Sequence, residues 1–268
     1  MAVSKNILIV GGSMYLGHLL RAVLAEGLYT VRILDSVAPD ATYPGEEVMC
    51  GDLGDQSLLV SACRGCDIVV DFTKLDVGRW NGGELATFSS GVAHLWEAAR
   101  IAGVKRVIAL SSDSITGFYR RASVLDHLTM PRPDGPSGVV GALNESIASL
   151  YANKFGLEAM CIRMGACRPE PIDERMLSTW ISPSDFQRLM RMAIETEYHF
   201  EIVYGVSANA DRWWDNSNAR RLGYRPQDRS DLFAPRLRGQ RSANQIENTF
   251  QGGRSAADSF KGDPRRIT

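Results

Sequence analysis

The sequence predicts an α/β fold, in which a doubly wound parallel sheet is followed by a small C-terminal lobe. First, an apolar run at residues 7–10 leads through two glycines directly into a helical apolar pattern. Second, short apolar runs alternate with helical patterns over the first 165 residues, with short links between them. Third, Asp35 closes the second run, about two dozen residues after Gly11, the usual spacing between a glycine turn and the acid that meets an adenosine ribose.

The glycine turn predicts a dinucleotide site of the Rossmann type. The N-terminus of the following helix offers free N–H groups and a positive dipole end to a pyrophosphate. Asp35 would accept from the ribose, and because no arginine follows it, NAD is favoured over NADP. Met14 fills the middle glycine position, so either the backbone stays farther from the phosphates or Gly12 makes the close approach. The predicted cofactor-binding residues of the turn are Gly11, Gly12, Ser13, Met14, Tyr15, Leu16 and Gly17.

Four further strands are predicted, at residues 47–50, 67–72, 106–110 and 157–163, with helices at 56–63, 83–102 and 139–155. Because ligands bind at the carboxyl ends of parallel strands, Gly11, Asp35, Thr73 and Ser112 are expected on one rim. Phe72 and Thr73 join the predicted cofactor contacts there. Asp52 and Leu53 follow the third strand and fit the adenine edge; the alternative for Asp52 is the N-cap of helix 56–63.

We predict two parts packed as one unit: an NAD-binding domain, 1–165, and a small substrate-side lobe with a C-terminal arm, 166–268. Ser182 and Pro183 open a helix that runs to about Thr196. A strand at 200–204 and a short helix ending near Gly223 complete the lobe. The last thirty residues are either an arm strapped across the body or a contact in an oligomer.

Composition narrows the possible partners. The 268 residues are 44% hydrophobic and 23% charged, with a net charge of −1, which gives no argument for nucleic acid or a membrane surface. We expect a cytoplasmic protein that acts on a small-molecule substrate and can form a homo-oligomer, since no signal peptide, long apolar segment or disulfide spacing is present. The histidines show no ligand spacing and Cys63-x-x-Cys66 stands alone, so we predict no metal site.

The chain resembles the extended short-chain dehydrogenase/reductases, and more closely the uronate dehydrogenase family. The early motifs are those discussed above, with Ser111 and Ser112 after the fifth strand. The more specific motifs occupy residues 132–135, 169–171, 175–180, 184–186, 213–217 and 250–253. The resemblance implies NAD-dependent oxidation of a hexuronic acid to an aldarolactone. It also implies that Ser112 is catalytic and that Arg175 binds the sugar acid.

The resemblance breaks at the catalytic helix, where the family carries Tyr-x-x-x-Lys. In register, the tyrosine position is Ser137 and the lysine position is Gly141. A tyrosine near a lysine can act as a base because its pKa is lowered by the neighbouring charge, whereas a serine hydroxyl is far too weak an acid. Further departures lie nearby, at Phe88, Thr73, Lys74, Asp113, Ser114 and Ala166. Because the changes cluster where substrate and nicotinamide meet, they suggest altered chemistry rather than scattered damage.

The residues left on the rim are the candidates for that chemistry. We predict Ser112, Asp113 and Lys74 as catalytic, and Ser112, Ser114 and Arg175 as substrate-binding. Lys74 could instead form an ion pair with an aspartate beside it, and Arg175 a structural ion pair. Tyr15 and Tyr119 could replace the lost hydroxyl, although tyrosines near loops are more often packing residues.

Three functions follow. The first is an NAD-binding enzyme that acts on a small carboxylate-bearing or polyhydroxylated molecule without the Tyr/Lys relay, by isomerisation, cyclisation or lyase chemistry or by transient redox. The second is a uronate-type dehydrogenase with a substitute acid/base. The third is a catalytically silent NAD-binding regulator.

Overall fold

The computed structural model describes residues 4–73 and 82–267, and in helix 82–102 it leaves the side chains of 82–85 and 88 aside. The main sheet consists of seven strands, which are β1 (Lys5–Val10), β2 (Tyr29–Asp35), β3 (Glu47–Cys50), β4 (Ile68–Asp71), β5 (Arg106–Ser112), β6 (Glu158–Met164) and β9 (Phe200–Gly205). They are all parallel and lie in the order β3-β2-β1-β4-β5-β6-β9, which confirms the predicted α/β class. Two short strands, β7 (Ala166–Cys167) and β8 (Trp180–Ile181), pair separately.

Helices cover both faces of the sheet. They are α1 (Tyr15–Leu24), α2 (Gln56–Cys63), α3 (Gly82–Ala102), α4 (Pro136–Phe155), α5 (Met176–Thr179), α6 (Pro183–Glu195), α7 (Ser217–Arg221), α8 (Ala234–Leu237), α9 (Gln245–Thr249) and α10 (Arg254–Ala257). Alternate residues of a strand point to opposite faces. Ile7 and Ile9 therefore share a core with α1 and α6, while Leu8 and Val10 share a second core with α2, α3 and α4.

Local signals in the sequence predict the start of α6 correctly but place the N-cap of α2 at the wrong residue. Ser182 caps α6 as predicted, since its hydroxyl accepts from the Asp185 N–H at 2.9 Å. The alternative role of Asp52 as an N-cap is wrong. Asp55 caps α2 instead, and its carboxylate accepts from the Leu58 N–H at 3.0 Å. Asp55 is the residue directly before the first helical residue, the position from which a side chain reaches the free N–H groups of the first turn.

Strand β9 corrects the predicted C-terminal lobe. The sequence predicts this strand as part of the small lobe, but it pairs in parallel with β6, with Ala159 opposite Phe200, as the edge of the main sheet. Helix α6 likewise packs into the core beneath that sheet, through Phe186 and Leu189. The sheet therefore continues past residue 165, and the division of the chain at that point stays a prediction.

The C-terminal segment straps across the loop that follows β5. The Gln251 N–H donates to the Tyr119 carbonyl at 2.8 Å, and the Gly252 N–H donates to the Gly117 carbonyl at 2.9 Å. Phe250 is fully buried beside them. The described residues thus show the strapping arm, whereas the oligomer contact stays a prediction. No helix in the described ranges is long and apolar enough to cross a membrane.

Candidate active site

A cavity of about 590 Å³ lies at the carboxyl edge of the sheet. Its wall is formed by the start of α1, the ends of β4, β5 and β6, the first turns of α4, and the start of α10. Of the predicted site residues, the cavity is lined by Met14, Tyr15, Leu16, Phe72, Thr73, Ser112, Asp113 and Ser114. The cavity thus brings the start of α1, Thr73 and the serines at the end of β5 together, whereas Gly11 and Asp35 are not on its wall.

The glycine turn has the geometry of an anion site. Gly11 has a φ of 76°, a left-handed conformation that favours glycine. A Cβ on Gly17 would lie 2.6 Å from the Gly12 Cα, so the helix meets the turn as closely as two glycines allow. Met14 precedes α1 and provides no side-chain cap. The first N–H groups of this helix are therefore left for an external anion such as a pyrophosphate.

Asp35 lies beside this turn and stabilises it. Its carboxylate accepts from the Ser13 N–H at 3.0 Å and from the Ser36 N–H at 2.8 Å. These two hydrogen bonds leave other lone pairs of the carboxylate free, so the Asp35 side chain can also accept a hydrogen bond from a ribose hydroxyl. The residues at the turn and Asp35 together fit a dinucleotide, by close backbone approach, unpaired helical N–H groups and an acid at the ribose position.

Asp52 and Leu53 follow β3, away from the cavity wall. The Asp52 carboxylate accepts from the Gly54 N–H at 2.6 Å, and Leu53 packs against the core beneath α3. Their predicted contact with the adenine end of a cofactor stays a prediction.

Behind Thr73 lies a buried acid. The Thr73 N–H donates to Asp71 Oδ1 at 2.9 Å, and burial raises the pKa of the Asp71 carboxyl to about 6. Lys74, the third predicted catalytic residue, lies outside the described residues, as does Asp76.

Ser112 is positioned as a hydrogen-bond donor toward the cavity. Its hydroxyl oxygen accepts from the Ser114 N–H at 3.1 Å, which caps the short 3₁₀ turn at Asp113–Thr116. Because this bond uses a lone pair and not the proton, the Ser112 O–H can donate to an oxygen in the cavity.

Asp113 and Arg175 form an ion pair. Arg175 Nη2 lies 2.6 Å from Asp113 Oδ2, and Arg175 Nε donates to the Gln251 carbonyl at 2.6 Å. Asp113 lines the cavity, but Arg175 stands behind it and is not part of the wall. The structure thus shows the ion pair that was the rival interpretation of Arg175, and its contact with substrate stays a prediction.

A second carboxyl group, which the sequence analysis did not select, lies near this pair. Asp134 is buried, and Ser255 Oγ donates to its Oδ1 at 3.2 Å. Burial, with a smaller contribution from the negative charge of Asp113, raises the pKa of Asp134 to about 6. Asp134 belongs to the quoted 132–135 motif, but nothing in the sequence shows that it is buried next to a hydroxyl of the cavity wall.

The first turns of α4 pack very closely on the end of β5. Ser137 and Gly141 line the cavity. A Cβ on Gly138 would lie 2.4 Å from the Ser114 carbonyl oxygen, and a Cβ on Gly141 would lie 2.8 Å from Ile115 Cδ1. The helix therefore approaches the strand at a distance that larger residues at these two positions would not permit.

Sequence reasoning also missed Asn144, Arg168 and Ser255 on the cavity wall. Asn144 is buried, and its amide donates to the Leu110 carbonyl at 3.1 Å. Arg168 lies in a stretch that the sequence marked only as irregular, and Ser255 in the arm. Arg168 and Ser255 reach the cavity from segments with no periodic pattern of their own, so tertiary contacts alone place them there. Asn144 lies on the predicted helix 139–155, and its position on the wall depends on how that helix packs against β5. Tyr119 is not on the wall, and its hydroxyl donates to the Met130 carbonyl at 3.1 Å.

A family model described as the NAD dependent epimerase/dehydratase family matches residues 7–184, which include the glycine turn, Asp35 and Ser112. The chain belongs to this family. It is 36% identical over 264 residues to the uronate dehydrogenase of Pseudomonas syringae pv. tomato, covering 97% of this chain and 96% of that protein.

Solved structures agree with this assignment. A glucuronic acid dehydrogenase from Chromohalobacter salexigens superimposes with a TM-score of 0.88 at 32% identity, covering 98% of this chain and 100% of that chain. A tyrosine-to-alanine mutant of the uronate dehydrogenase from Agrobacterium tumefaciens, complexed with NAD, also gives 0.88 at 32% identity, covering 95% and 97%. The predicted resemblance is thus confirmed at the level of the family, and NAD is the cofactor of that family. In the described ranges, no group of three or more His, Cys, Asp or Glu side chains could hold a metal ion.

Proposed function

We propose that this protein is an NAD-dependent dehydrogenase of a hexuronic acid or a closely similar sugar acid. The observation that carries the proposal is the single cavity that joins the dinucleotide turn to Ser112 and Ser114. Its similarity over nearly the whole chain to uronate dehydrogenases supports the same reaction class. The comparisons thus favour the dehydrogenase alternative over the non-redox chemistry that the sequence analysis put first.

In this proposal the chain binds NAD through the residues that fit it. The free N–H groups at the start of α1 hold the pyrophosphate, and Asp35 accepts from the ribose hydroxyls. When bound, NAD supplies the hydride acceptor. Ser112 donates to the substrate oxygen that becomes a carbonyl, and so orients the carbon–hydrogen bond to be broken.

The hydroxyl proton needs an acceptor, and we assign this role to Asp134. Ser137 and Gly141 stand where the family resemblance places the tyrosine and lysine. The Ser137 hydroxyl is too weak an acid to serve as the final proton acceptor without a partner base, and Gly141 supplies no charge. The Asp113 carboxylate is already held in an ion pair with Arg175. Asp134 has a pKa of about 6, well suited to a base at neutral pH. The substrate proton passes to the Ser255 hydroxyl, which transfers its own proton to Asp134.

The test is nicotinamide absorbance while the full-length protein is incubated with NAD and glucuronate or galacturonate. We expect NADH to accumulate at below about 1 s⁻¹, since ordinary turnover of 1–10³ s⁻¹ is reduced when the family relay is missing. Loss of the sugar acid without NADH would instead support the non-redox alternative. No conversion of any sugar acid, together with tight NAD binding, would support the silent regulator.

A further inference from the structure

The cavity wall carries an arginine that has no ion-pair partner within residues 4–73 and 82–267. Arg168 lies on the wall and is exposed. Among the described residues, its guanidinium takes part in no ion pair or side-chain hydrogen bond. The acid closest to it in sequence, Glu170, is paired with Arg236 at 3.0 Å. The other arginine near the site, Arg175, already donates to Asp113 and to the Gln251 carbonyl.

Arg168 is nevertheless held at a fixed place. Its N–H donates to the Ile181 carbonyl at 3.2 Å, and its carbonyl accepts from Trp180 Nε1 at 2.8 Å. Trp180 is itself buried. Two hydrogen bonds therefore fix the backbone of Arg168 at the end of the β7–β8 pair, and its exposed side chain lies on the cavity wall.

Tyr15 lies on the same cavity wall as Arg168. Burial and the neighbouring Cys167 raise the pKa of the Tyr15 phenol, and the positive charge of Arg168 acts in the opposite direction. Most of the remaining polar side chains on the wall carry hydroxyl groups, namely Thr73, Ser111, Ser112, Ser114, Ser137 and Ser255. The wall thus combines these hydroxyls, the Asp113 carboxylate paired with Arg175, and the Arg168 guanidinium, which has no ion pair within the described residues.

We infer that Arg168 binds the carboxylate of the substrate, in place of the paired Arg175. The inference rests on the proposed function, because it takes the ligand to be a sugar acid. A guanidinium offers two parallel N–H donors to a carboxylate, and the serine hydroxyls suit the sugar hydroxyls. A carboxylate carries a single charge and so matches one guanidinium, whereas a phosphate monoester carries between about 1.5 and 2 charges at neutral pH.

The experiment is titration calorimetry of the full chain with saturating NADH, which forms a complex that cannot oxidise the sugar. Glucuronate, glucose and glucose 6-phosphate are titrated into wild type, Arg168→Gln, Arg168→Lys and the control Arg236→Gln. We expect Arg168→Gln to weaken glucuronate binding about 10–100-fold, as for loss of a hydrogen-bonded charge, and to leave glucose unchanged. Arg168→Lys should recover only part of the loss, and Arg236→Gln should behave as wild type.

Four results would overturn the inference. The first is that wild type binds glucuronate and glucose with equal affinity, and the second is that Arg168→Gln binds glucuronate as tightly as wild type does. The third is that Arg168→Gln weakens the binding of glucose 6-phosphate more than that of glucuronate. The fourth is that Arg168→Gln weakens the binding of NADH as much as that of glucuronate. The last would mean that Arg168 contacts the cofactor. The proposed function fails separately: if the acid binds through Arg168 but NAD is not reduced, the carboxylate site stands and the dehydrogenase does not.

Discussion

Arg175 and Asp113, 62 residues apart, meet at 2.6 Å behind the cavity wall. The same guanidinium donates to the Gln251 carbonyl of the arm, so one side chain joins the rim of the cavity to the segment strapped over it. Only 20% of the Arg175 side chain and 16% of the Asp113 side chain are exposed. The pair is therefore better shielded from water than an ordinary surface ion pair.

Arg175→Lys should lower the free energy of unfolding by about 1–2 kcal/mol, because a lysine cannot make both contacts at once. Urea denaturation of wild type, Arg175→Lys, Asp113→Asn and the double variant would measure the coupling. Arg238→Lys is the control, since Arg238 pairs with Asp211 at the surface and should lose less than about 0.5 kcal/mol. If the losses in the free energy of unfolding from the two substitutions are additive in the double variant, the ion pair contributes nothing to stability.

Asp134→Asn should make the protein more stable than wild type at pH above 6. The pKa of Asp134 is raised from 3.8 in the unfolded chain to about 6 in the fold, so the fold binds the extra proton between these pH values. The corresponding stability is present below pH 4 and is lost as pH rises through about 6. Because the asparagine cannot ionise, the free energy of unfolding of the variant should rise relative to that of wild type by up to about 3 kcal/mol as pH increases from about 4 to about 6.

Denaturation midpoints at several pH values between 4 and 8 would check this, with the exposed Asp258→Asn as control. Asp71, whose pKa is also raised to about 6, is present in both proteins and cancels in the comparison. A difference between variant and wild type that does not change with pH would contradict the assignment.

The same carboxyl should control turnover. If Asp134 accepts the substrate proton through Ser255, kcat rises as pH passes about 6, and Asp134→Asn removes this limb of the profile and lowers kcat about 10²–10⁴-fold. Asp258→Asn should leave both unchanged. A variant that keeps the acid limb of the pH profile would exclude Asp134 as the base.

Asp35→Asn should reduce the preference for NAD over NADP. The carboxylate would accept from the ribose diol and repel a 2′-phosphate, and losing a hydrogen bond to a charged group should weaken NAD by about 1–3 kcal/mol. Calorimetry with both cofactors is the measurement. Asp40→Asn, an exposed acid in the loop after β2, is the matched control. If wild type bound NAD and NADP with equal affinity, Asp35 would not be the residue that selects NAD.

Gly141→Lys, which installs the lysine that the family resemblance places there, should destabilise the protein by about 1–3 kcal/mol. The new Cβ would lie 2.8 Å from Ile115 Cδ1, so the Ile115 side chain must move. Ile115→Ala in the same chain should restore part of the loss, because it makes room for the lysine. Thermal denaturation of both variants, with Ile115→Ala alone as reference, would test the coupling; purely additive losses would argue against it.

Features that depend only on residues close together in the sequence were predictable from it. The strand, glycine turn and helix at the start, and the bounds of β3, follow from local periodicity and turn residues. The edge that β9 joins was not predictable, because a strand carries no local mark of its partner. The Asp113–Arg175 pair and the burial of Asp134 depend on how the loop after β5 meets the arm, and Arg168 reaches the cavity only because β7 pairs with β8.

The arm has a consequence for how the protein folds. Asp134 and Ser255, which meet at the cavity, are 121 residues apart, and Arg175 and Gln251 are 76 apart. Closing such long loops costs chain entropy before any contact stabilises them, and folding slows as contacting residues become more distant in sequence. The sheet can assemble from successive strand–helix units, whereas the cavity is complete only after the arm docks. Refolding should therefore regain secondary structure before it regains ligand binding.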